Sequence, residues 1–481
     1  SLVPFTLEEV LDNATEKQRR KYQEALSSVR RDKMQAFQKT EAYPEIKDPR
    51  NIINQDPHHV LHWSCFIQAV VDCMKNELQT SWYAFGLQPE ALADRVHQLA
   101  AGCCHELLET DFSRFDGTIA YFLRELELLI LLSFFPHRYH QQIATLWAAT
   151  LDQVGKTRFS IKFFLRSQRR SGSGETSWGN STINAYVAYC SHREVGQTPK
   201  EAWSALGLYG GDDGISDLPR GMMEKVCNFL ELKVKPAYKA HGEPLSFLGR
   251  VWPEPAVHNG SYMDPLRVLH KIHYVSCADP TIPPELHAWR KGVSLLATDA
   301  QTPILGDLAL TLMALGSNSR RTISWDYRPH KAFLNELTGA TRTYDQIIDR
   351  FKDSPVYPPI RKQAHNYLVF EKPIVDLVGG LKVYTAWVEK FDQWVRFPNF
   401  KPPLLHKVPL PETKSTVDCE QLQLGAKLGK APTIPKAERQ ICPLMATRKC
   451  PPKCPNWHPH DACRDYFAGK CHRSSCRFKH Y

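Results

Sequence analysis

Three short blocks of carboxylates, glycines and small polar residues, met in a fixed order along one chain, constrain this sequence more than anything else in it. The first runs from Asp111 to Gly117 and contains Asp116. The second opens on Ser171 and Gly172 and continues to Thr176 and Asn180. The third is Tyr209, Gly210, Gly211, Asp212, Asp213 and Gly214. Taken alone, glycine followed by two aspartates is a surface turn, because both residue types favour turns. Its chemical reading is different: two adjacent carboxylates on a hairpin between strands bind hard cations through oxygen. Nucleotide transfer uses two such cations about 3.5–4 Å apart. Asp111, at the end of a predicted strand, supplies a partner carboxylate. The second block reads as a loop running into a helix, and Thr176 and Asn180, four residues apart, share one helix face. Short polar side chains there can hydrogen-bond a sugar hydroxyl.

The rest of the chain is ordinary globular material. It has 481 residues, 42% hydrophobic and 23% charged, enough for two to four domains of roughly 100–200 residues each. The longest clean apolar run, Leu128 to Phe135, falls far short of the ~20 residues that span a bilayer. No signal peptide opens the chain, and without an initial Met it reads as part of something longer. The pattern predicts a helix over 14–38, a polar proline-marked stretch from Tyr43 to Pro57, and helical segments up to about Leu108. Ile119–Phe135 and Ile183–Ala188 have helical spacing. Residues 245–390 read as mainly helical, with breaks at Pro280, Pro283, Pro284 and the Pro355–Pro359 cluster.

Charge and cysteine are both segregated. The net charge is +10, and residues 396–481 hold 16 basic against six acidic residues, so the excess lies entirely on the C-terminal tail. A basic tail is a solvated linker or a nucleic-acid contact. Residues 396–440 are rich in proline and lysine and read as a linker. Six of the 14 cysteines follow Ile441; the others are scattered, which points to a reducing compartment rather than a disulfide framework.

Together and in this order, the three blocks resemble motifs A, B and C of viral RNA-dependent RNA polymerases. The resemblance implies an α+β right-hand fold with palm, fingers and thumb. It implies that Asp111 and Asp212 hold two catalytic Mg²⁺ or Mn²⁺ ions, with Asp213 assisting, and that Asp116, Thr176 and Asn180 read the ribose 2′-hydroxyl. Ser171 and Gly172 then belong to the flexible loop that positions template and nucleotide. Phe37 to Tyr43 with Lys39, followed by Lys47 to Ile53 with Arg50, resembles motif F. Lys and Arg of that motif contact the incoming triphosphate, whose departing pyrophosphate needs cationic neutralisation. Phe247–Arg250 resembles the motif E hairpin. The helix over 219–231, with Lys233, Lys235 and Lys239 after it, stands where motif D belongs, and that motif's proton-donating lysine is one of the three.

Within these polymerases, Phe37–Ile53, Gly242–Pro255 and Asp264–Ile282 look most like nodavirus replicases. That group carries a membrane anchor and an RNA-capping region ahead of the polymerase, and neither lies in this sequence. Motif F begins near residue 37, so part of the fingers is expected to be missing, reduced or supplied by an upstream segment. The expected domains are partial fingers over 1–110, palm with an inserted fingers segment over 111–255, thumb over 256–395, the linker over 396–440, and a zinc-binding tail over 441–481.

In that tail Cys442, Cys450, Cys454 and His458 form one set, and Cys463, Cys471, Cys476 and His480 a second. Each offers three thiolates and one imidazole, a tetrahedral complement for structural zinc. The second set closely resembles a CCCH zinc finger, and Tyr466, Phe467 and Phe478 with Arg464, Lys470 and Arg477 suit stacking and pairing with single-stranded RNA. The expected function is RNA-directed RNA synthesis for a positive-strand RNA virus, with template and product RNA, ribonucleoside triphosphates and other replicase segments or subunits as partners. The expected location is the host cytoplasm, at membrane-bound replication complexes, attached through an upstream region. The rivals are a reverse transcriptase, which the hydroxyl-reading set argues against, and a non-catalytic RNA-binding scaffold, which the intact Asp111, Asp212 and Asp213 argue against.

Overall fold

Between Glu106 and Phe112 the alternating side chains Leu108, Thr110 and Phe112 are buried on one face and Leu107 on the other, the signature of a strand between two packed layers. It is one of eleven strands in the computed structural model, which describes residues 2–14, 16–27, 34–39, 50–76, 81–103, 106–157, 159–272, 284–317 and 365–396. In chain order they are β1 (Met34–Gln38), β2 (Asn51–Asn54), β3 (Glu106–Phe112), β4 (Gln153–Thr157), β5 (Lys162–Leu165), β6 (Leu208–Gly210), β7 (Asp213–Ser216), β8 (Val234–Ala240), β9 (Leu245–Phe247), β10 (Arg250–Trp252) and β11 (Tyr262–Met263). They make three sheets, of order β6-β7-β3-β8, β2-β1-β4-β5 and β11-β10-β9. All the described residues fall in one compact unit, Ser1–Pro402.

The β6-β7-β3-β8 sheet is antiparallel throughout. One face packs on helices: Leu108 and Phe112 join Phe66, Leu123, Ile183 and Val187 in the largest apolar cluster. The helices are Pro57–Asn76, Tyr121–Phe134 and Thr176–Glu194; in the first, apolar residues recur at helical spacing, as at Val60, Trp63, Ile67 and Val70, while Thr176–Glu194 is buried continuously from Trp178 to Ala185. Each fully buried Leu, Val or Phe contributes roughly 1.5–3 kcal/mol. The opposite face meets a smaller cluster in which Leu107, Leu208 and Ile215 touch Val96, Phe247 and Trp252. A third cluster joins Tyr262 to the helices Pro284–Asp299, Leu305–Ser317, His365–Leu377 and Leu381–Arg396.

Several sequence expectations need correction. The predicted helix over 14–38 ends at Leu26, and Met34–Gln38 is a strand because it pairs antiparallel with β2 and parallel with β4. The helical run towards Leu108 stops before β3 at Glu106. Residues 245–263 are three short strands rather than helix, joined through Arg250↔Phe247 and Arg250↔Met263 pairs. Pro284 opens a helix instead of breaking one, since the first helical position has no hydrogen bond to lose. Pro280, Pro283 and the Pro355–Pro359 cluster lie outside the described residues. Among the described residues no helix is long and apolar enough to cross a membrane.

Candidate active site

β6 and β7 are joined by a two-residue turn, with Gly210 opposite Asp213. The turn needs a left-handed residue, and Gly211 supplies it at φ +73°. Asp212 and Asp213 are thereby presented at the sheet edge. The Thr176–Glu194 helix holds the turn from beneath. Gly211 N donates to Ser181 Oγ at 2.8 Å. The buried amide of Asn184 donates to the carbonyls of Gly211, Asp212 and Asp213 at 3.2, 3.4 and 3.2 Å. Below it, the Tyr209 hydroxyl meets Ser216 Oγ at 2.9 Å and accepts from Gly207 N at 3.2 Å.

β3 runs alongside with Thr110 opposite Gly214, so the register carries Asp111 on towards Asp213. The two line one cleft of about 310 Å³, together with Lys235, Leu248, Arg250 and Arg267. Burial, then repulsion from Asp212 and Asp111, pushes the Asp213 carboxyl up to about 6, while Arg267 and Arg50 pull the other way. Asp212 is likewise raised, by burial first and by Asp111 and Asp116 after it. Carboxylates that repel one another in a half-buried site fit a cationic guest. Among the described residues no group of three or more His, Cys, Asp or Glu is gathered closely enough to hold a metal ion by itself.

The second block folds as a loop onto β2 and then a helix. Gly172 N donates to Ile53 O at 3.1 Å, and Ile53 N donates to Ser171 Oγ at 3.2 Å. A Cβ at Gly172 would press on the Asn54 side chain and come within 2.8 Å of Ile53 O, so only glycine allows this approach. Asn180 and Asp116 meet, Asn180 Nδ2 donating to Asp116 Oδ1 at 2.8 Å. Thr176 is not part of that contact; its hydroxyl faces its own loop, 2.7 Å from Arg170 O and 3.0 Å from Ser173 O. Lys39 N donates to Arg50 O at 2.7 Å, joining the ends of β1 and β2, and the charge of Arg50 is felt at both Asp212 and Asp213. All eight expected zinc ligands, Cys442 to His458 and Cys463 to His480, lie outside the described residues.

Sequence reasoning missed Ser181, Asn184 and Arg267, and it missed a buried ionic network beneath the loop. Arg124 donates to Glu127 at 2.7 Å and to Glu175 at 3.1 Å. Glu175 also accepts from Trp63 Nε1 at 2.9 Å and from Ser173. Burial pushes the Glu175 carboxyl up, but Arg124 and Arg169 pull it down to about 2. The available signal was the recurrence of Asn180 and Asn184 four residues apart in a helix otherwise rich in small residues.

A family model described as RNA dependent RNA polymerase matches residues 14–293. The RNA-directed RNA polymerase of Pariacoto virus is 33% identical over 316 residues, covering 64% of this chain and 32% of that protein. That of Striped jack nervous necrosis virus is 34% identical over 277 residues, 57% of this chain and 28% of the relative. That of Flock house virus is 28% identical over 393 residues, 73% of this chain and 39% of the relative. The chain thus spans about a third of the length of these relatives. Among solved structures, the RNA-dependent RNA polymerase of a human picorbirnavirus superposes with a TM-score of 0.50 at 13% identity, covering 70% of this chain and 64% of that one. That likeness extends to the fold.

Proposed function

This chain belongs to the RNA-dependent RNA polymerase family, and from that premise we propose that it carries out template-directed RNA synthesis from ribonucleoside triphosphates for a positive-strand RNA virus. The observation that carries this reading is the convergence of three sequence blocks: Asp111 runs along β7 towards Asp213, and Asp116 is hydrogen-bonded to Asn180. Asp111, Asp212 and Asp213 are the residues that would hold two Mg²⁺ or Mn²⁺ ions. When bound, such ions lower the cost of the charge that develops as the 3′-hydroxyl attacks and pyrophosphate leaves.

The remaining roles belong to the chain itself. Arg50 and Lys39 meet the triphosphate at the mouth of the β1–β2 hairpin. Asp116 and Asn180 read the 2′-hydroxyl, with Thr176 holding the loop that Ser171 and Gly172 dock on β2. Of Lys233, Lys235 and Lys239, we assign the proton donor to pyrophosphate to Lys235, since its Nζ reaches Asp111 Oδ2 at 2.7 Å. The β6-β7-β3-β8 sheet is the palm, the β2-β1-β4-β5 sheet belongs to the fingers, and the helices after Asp264 form the thumb. The tail over 441–481 holds two structural zinc ions and binds RNA. Other replicase segments and attachment to membrane-bound complexes in the host cytoplasm complete the proposal. The test is extension of a primed template with Mn²⁺ and labelled ribonucleotides: templated product supports the reading, and its absence in purified, folded protein overturns it.

A further inference from the structure

We infer that Arg169 is the positioning residue that holds the ribose-reading pair in register, and that preference for ribonucleotides over 2′-deoxynucleotides depends on it. The inference rests on the reading of Asp116 and Asn180 as the 2′-hydroxyl site and deepens it.

Asp116 and Asn180 come from different elements, a short turn after β3 and the Thr176–Glu194 helix. A side-chain amide left to itself can rotate by half a turn, and a rotated Asn180 would face the Asp116 carboxylate with its own oxygen. Arg169 removes that freedom. Its Nε donates to Asn180 Oδ1 at 2.9 Å. A guanidinium only donates, so the amide oxygen must face it. Nδ2 is then the end left for Asp116, and a carboxylate only accepts. Both contacts demand the same orientation. The main chain of Arg169 also grips the other partner, its N donating to Asp116 O at 2.8 Å. One residue therefore ties together two that share no element.

Arg169 is itself fixed, and 2% exposed. Nη1 donates to Glu127 Oε2 at 2.9 Å and Nη2 to the other carboxylate oxygen, a bidentate pair. The guanidinium lies against Gly179, where a Cβ would stand 2.6 Å from Nη2. The residue before Asn180 is thus a glycine where the space is already taken by the arginine. Lysine, a point charge on a flexible stem, cannot hold Glu127 with two bonds and Asn180 with a third.

This arrangement leaves Asp116 Oδ2 to accept and the second amide hydrogen of Asn180 to donate. A 2′-hydroxyl can satisfy both at once. A 2′-deoxynucleotide satisfies neither and strands both polar groups, which is the strongest kind of discrimination a binding site makes. A shift of about 1 Å in either partner is enough to cost on the order of 10²-fold.

The experiment measures kcat/KM for one ribonucleotide and its 2′-deoxy analogue in primed extension by the full chain. The variants are Asn180→Ala, Arg169→Lys, Gly179→Ala, and Arg169→Lys combined with Asn180→Ala. Gly179→Ala keeps every charge and displaces the guanidinium, so it carries the test if Arg169→Lys fails to fold. Arg169→Lys and Gly179→Ala are expected to lower the ribo-to-deoxy ratio by about tenfold to 10²-fold, chiefly by raising KM for the ribonucleotide. In the Asn180→Ala background, Arg169→Lys should change the ratio little further. If Asn180→Ala lowers the ratio and the other two do not, the positioning role is wrong while the hydroxyl reading stands. If Asn180→Ala leaves the ratio unchanged, the reading itself fails. Equal loss with both nucleotides in Arg169→Lys and Gly179→Ala would make Arg169 a structural residue only and overturn the inference.

Discussion

Lys235 Nζ donates to Asp111 Oδ2 at 2.7 Å, across a cross-strand pair in which β8 sets Lys235 directly opposite Asp111. The ammonium therefore sits on an oxygen of a carboxylate proposed to hold a divalent cation. Both side chains are at least half exposed, so the pair contributes under about 1 kcal/mol to stability. Its importance is chemical. Lys235→Met should leave the melting temperature nearly unchanged and slow extension by about 10²-fold. It should also lower the Mg²⁺ concentration giving half-maximal rate, because a competing cation is gone. A Mg²⁺ titration of the extension rate checks both; an unaltered rate at saturating Mg²⁺ would remove Lys235 from the chemistry.

Asp212→Asn keeps the shape of the turn and the carbonyl that Asn184 binds. It removes one of the charges proposed to hold the metals. Synthesis should fall by at least about 10³-fold, the rate equivalent of roughly 4 kcal/mol of lost transition-state stabilisation. Circular dichroism and melting should match the parent. Near-normal extension by the folded variant would remove the metal assignment.

Glu175 gives the fold an acid-sensitive point. Its carboxyl is held at about 2, below an ordinary value of 4.5, so the folded state binds this proton less readily than the unfolded chain. The stabilisation is fully present above pH 4.5 and is lost as pH falls towards 2, about 3 kcal/mol in all. Glu175→Gln should lower stability at pH 7 by about that amount and flatten the dependence between pH 2 and 4.5. Urea melts across that range measure it; an undiminished slope in the variant would show that other carboxylates set the acid limit.

Gly172→Ala tests the docking of the loop on β2. With Asn54 and Ile53 O so close, the added methyl must push the loop away from the strand that follows Arg50. Nucleotide KM should rise at least severalfold with a smaller fall in kcat. Steady-state kinetics that match the parent would show that the contact is dispensable.

For the tail, the full chain should take up two zinc ions, and Cys471→Ser should lose one of them. The same substitution should weaken binding to long single-stranded RNA, most visibly at moderate salt, because residues 441–481 carry eight basic and two acidic residues. Metal analysis and filter binding read the two effects. Loss of zinc with RNA affinity intact would assign the tail to a protein partner instead.

The carboxylate turn was legible because glycine and aspartate punctuate structure: Gly211 takes the left-handed position that the hairpin between β6 and β7 needs. Spacing put Asn180 beside Thr176 and the resemblance added Asp116; of the three, only Asn180 and Asp116 meet, because their contact is set by tertiary approach while the Thr176 hydroxyl turns to its own loop. In sequence Lys233, Lys235 and Lys239 are alike, and only the β3–β8 register sets one of them, Lys235, opposite Asp111. The network of Arg124, Glu127, Arg169 and Glu175 was illegible for a simpler reason. Charges are read as solvated unless something says otherwise, and here burial is bought only by mutual pairing across residues far apart in sequence. Met34–Gln38 read as helix because Met, Gln and Ala are good helix formers; its two partner strands overrode that preference.

The parallel pairing of β1 with β4 has a consequence for how the protein comes into being. Ile53 on β2 and Ser171, in the loop between β5 and the Thr176–Glu194 helix, are hydrogen-bonded across 118 residues of sequence. On a ribosome adding about 5–20 residues each second, β1 and β2 wait on the order of ten seconds for the segment that completes their sheet. Local contacts elsewhere, such as the turn between β6 and β7, close within microseconds of emerging. Assembly of the β2-β1-β4-β5 sheet is therefore a late event, gated by translation rather than by chain diffusion. A nascent chain stalled before Gln153 presents Met34–Gln38 as an edge without its parallel neighbour, the stage at which a chaperone or a second nascent copy has most to offer it.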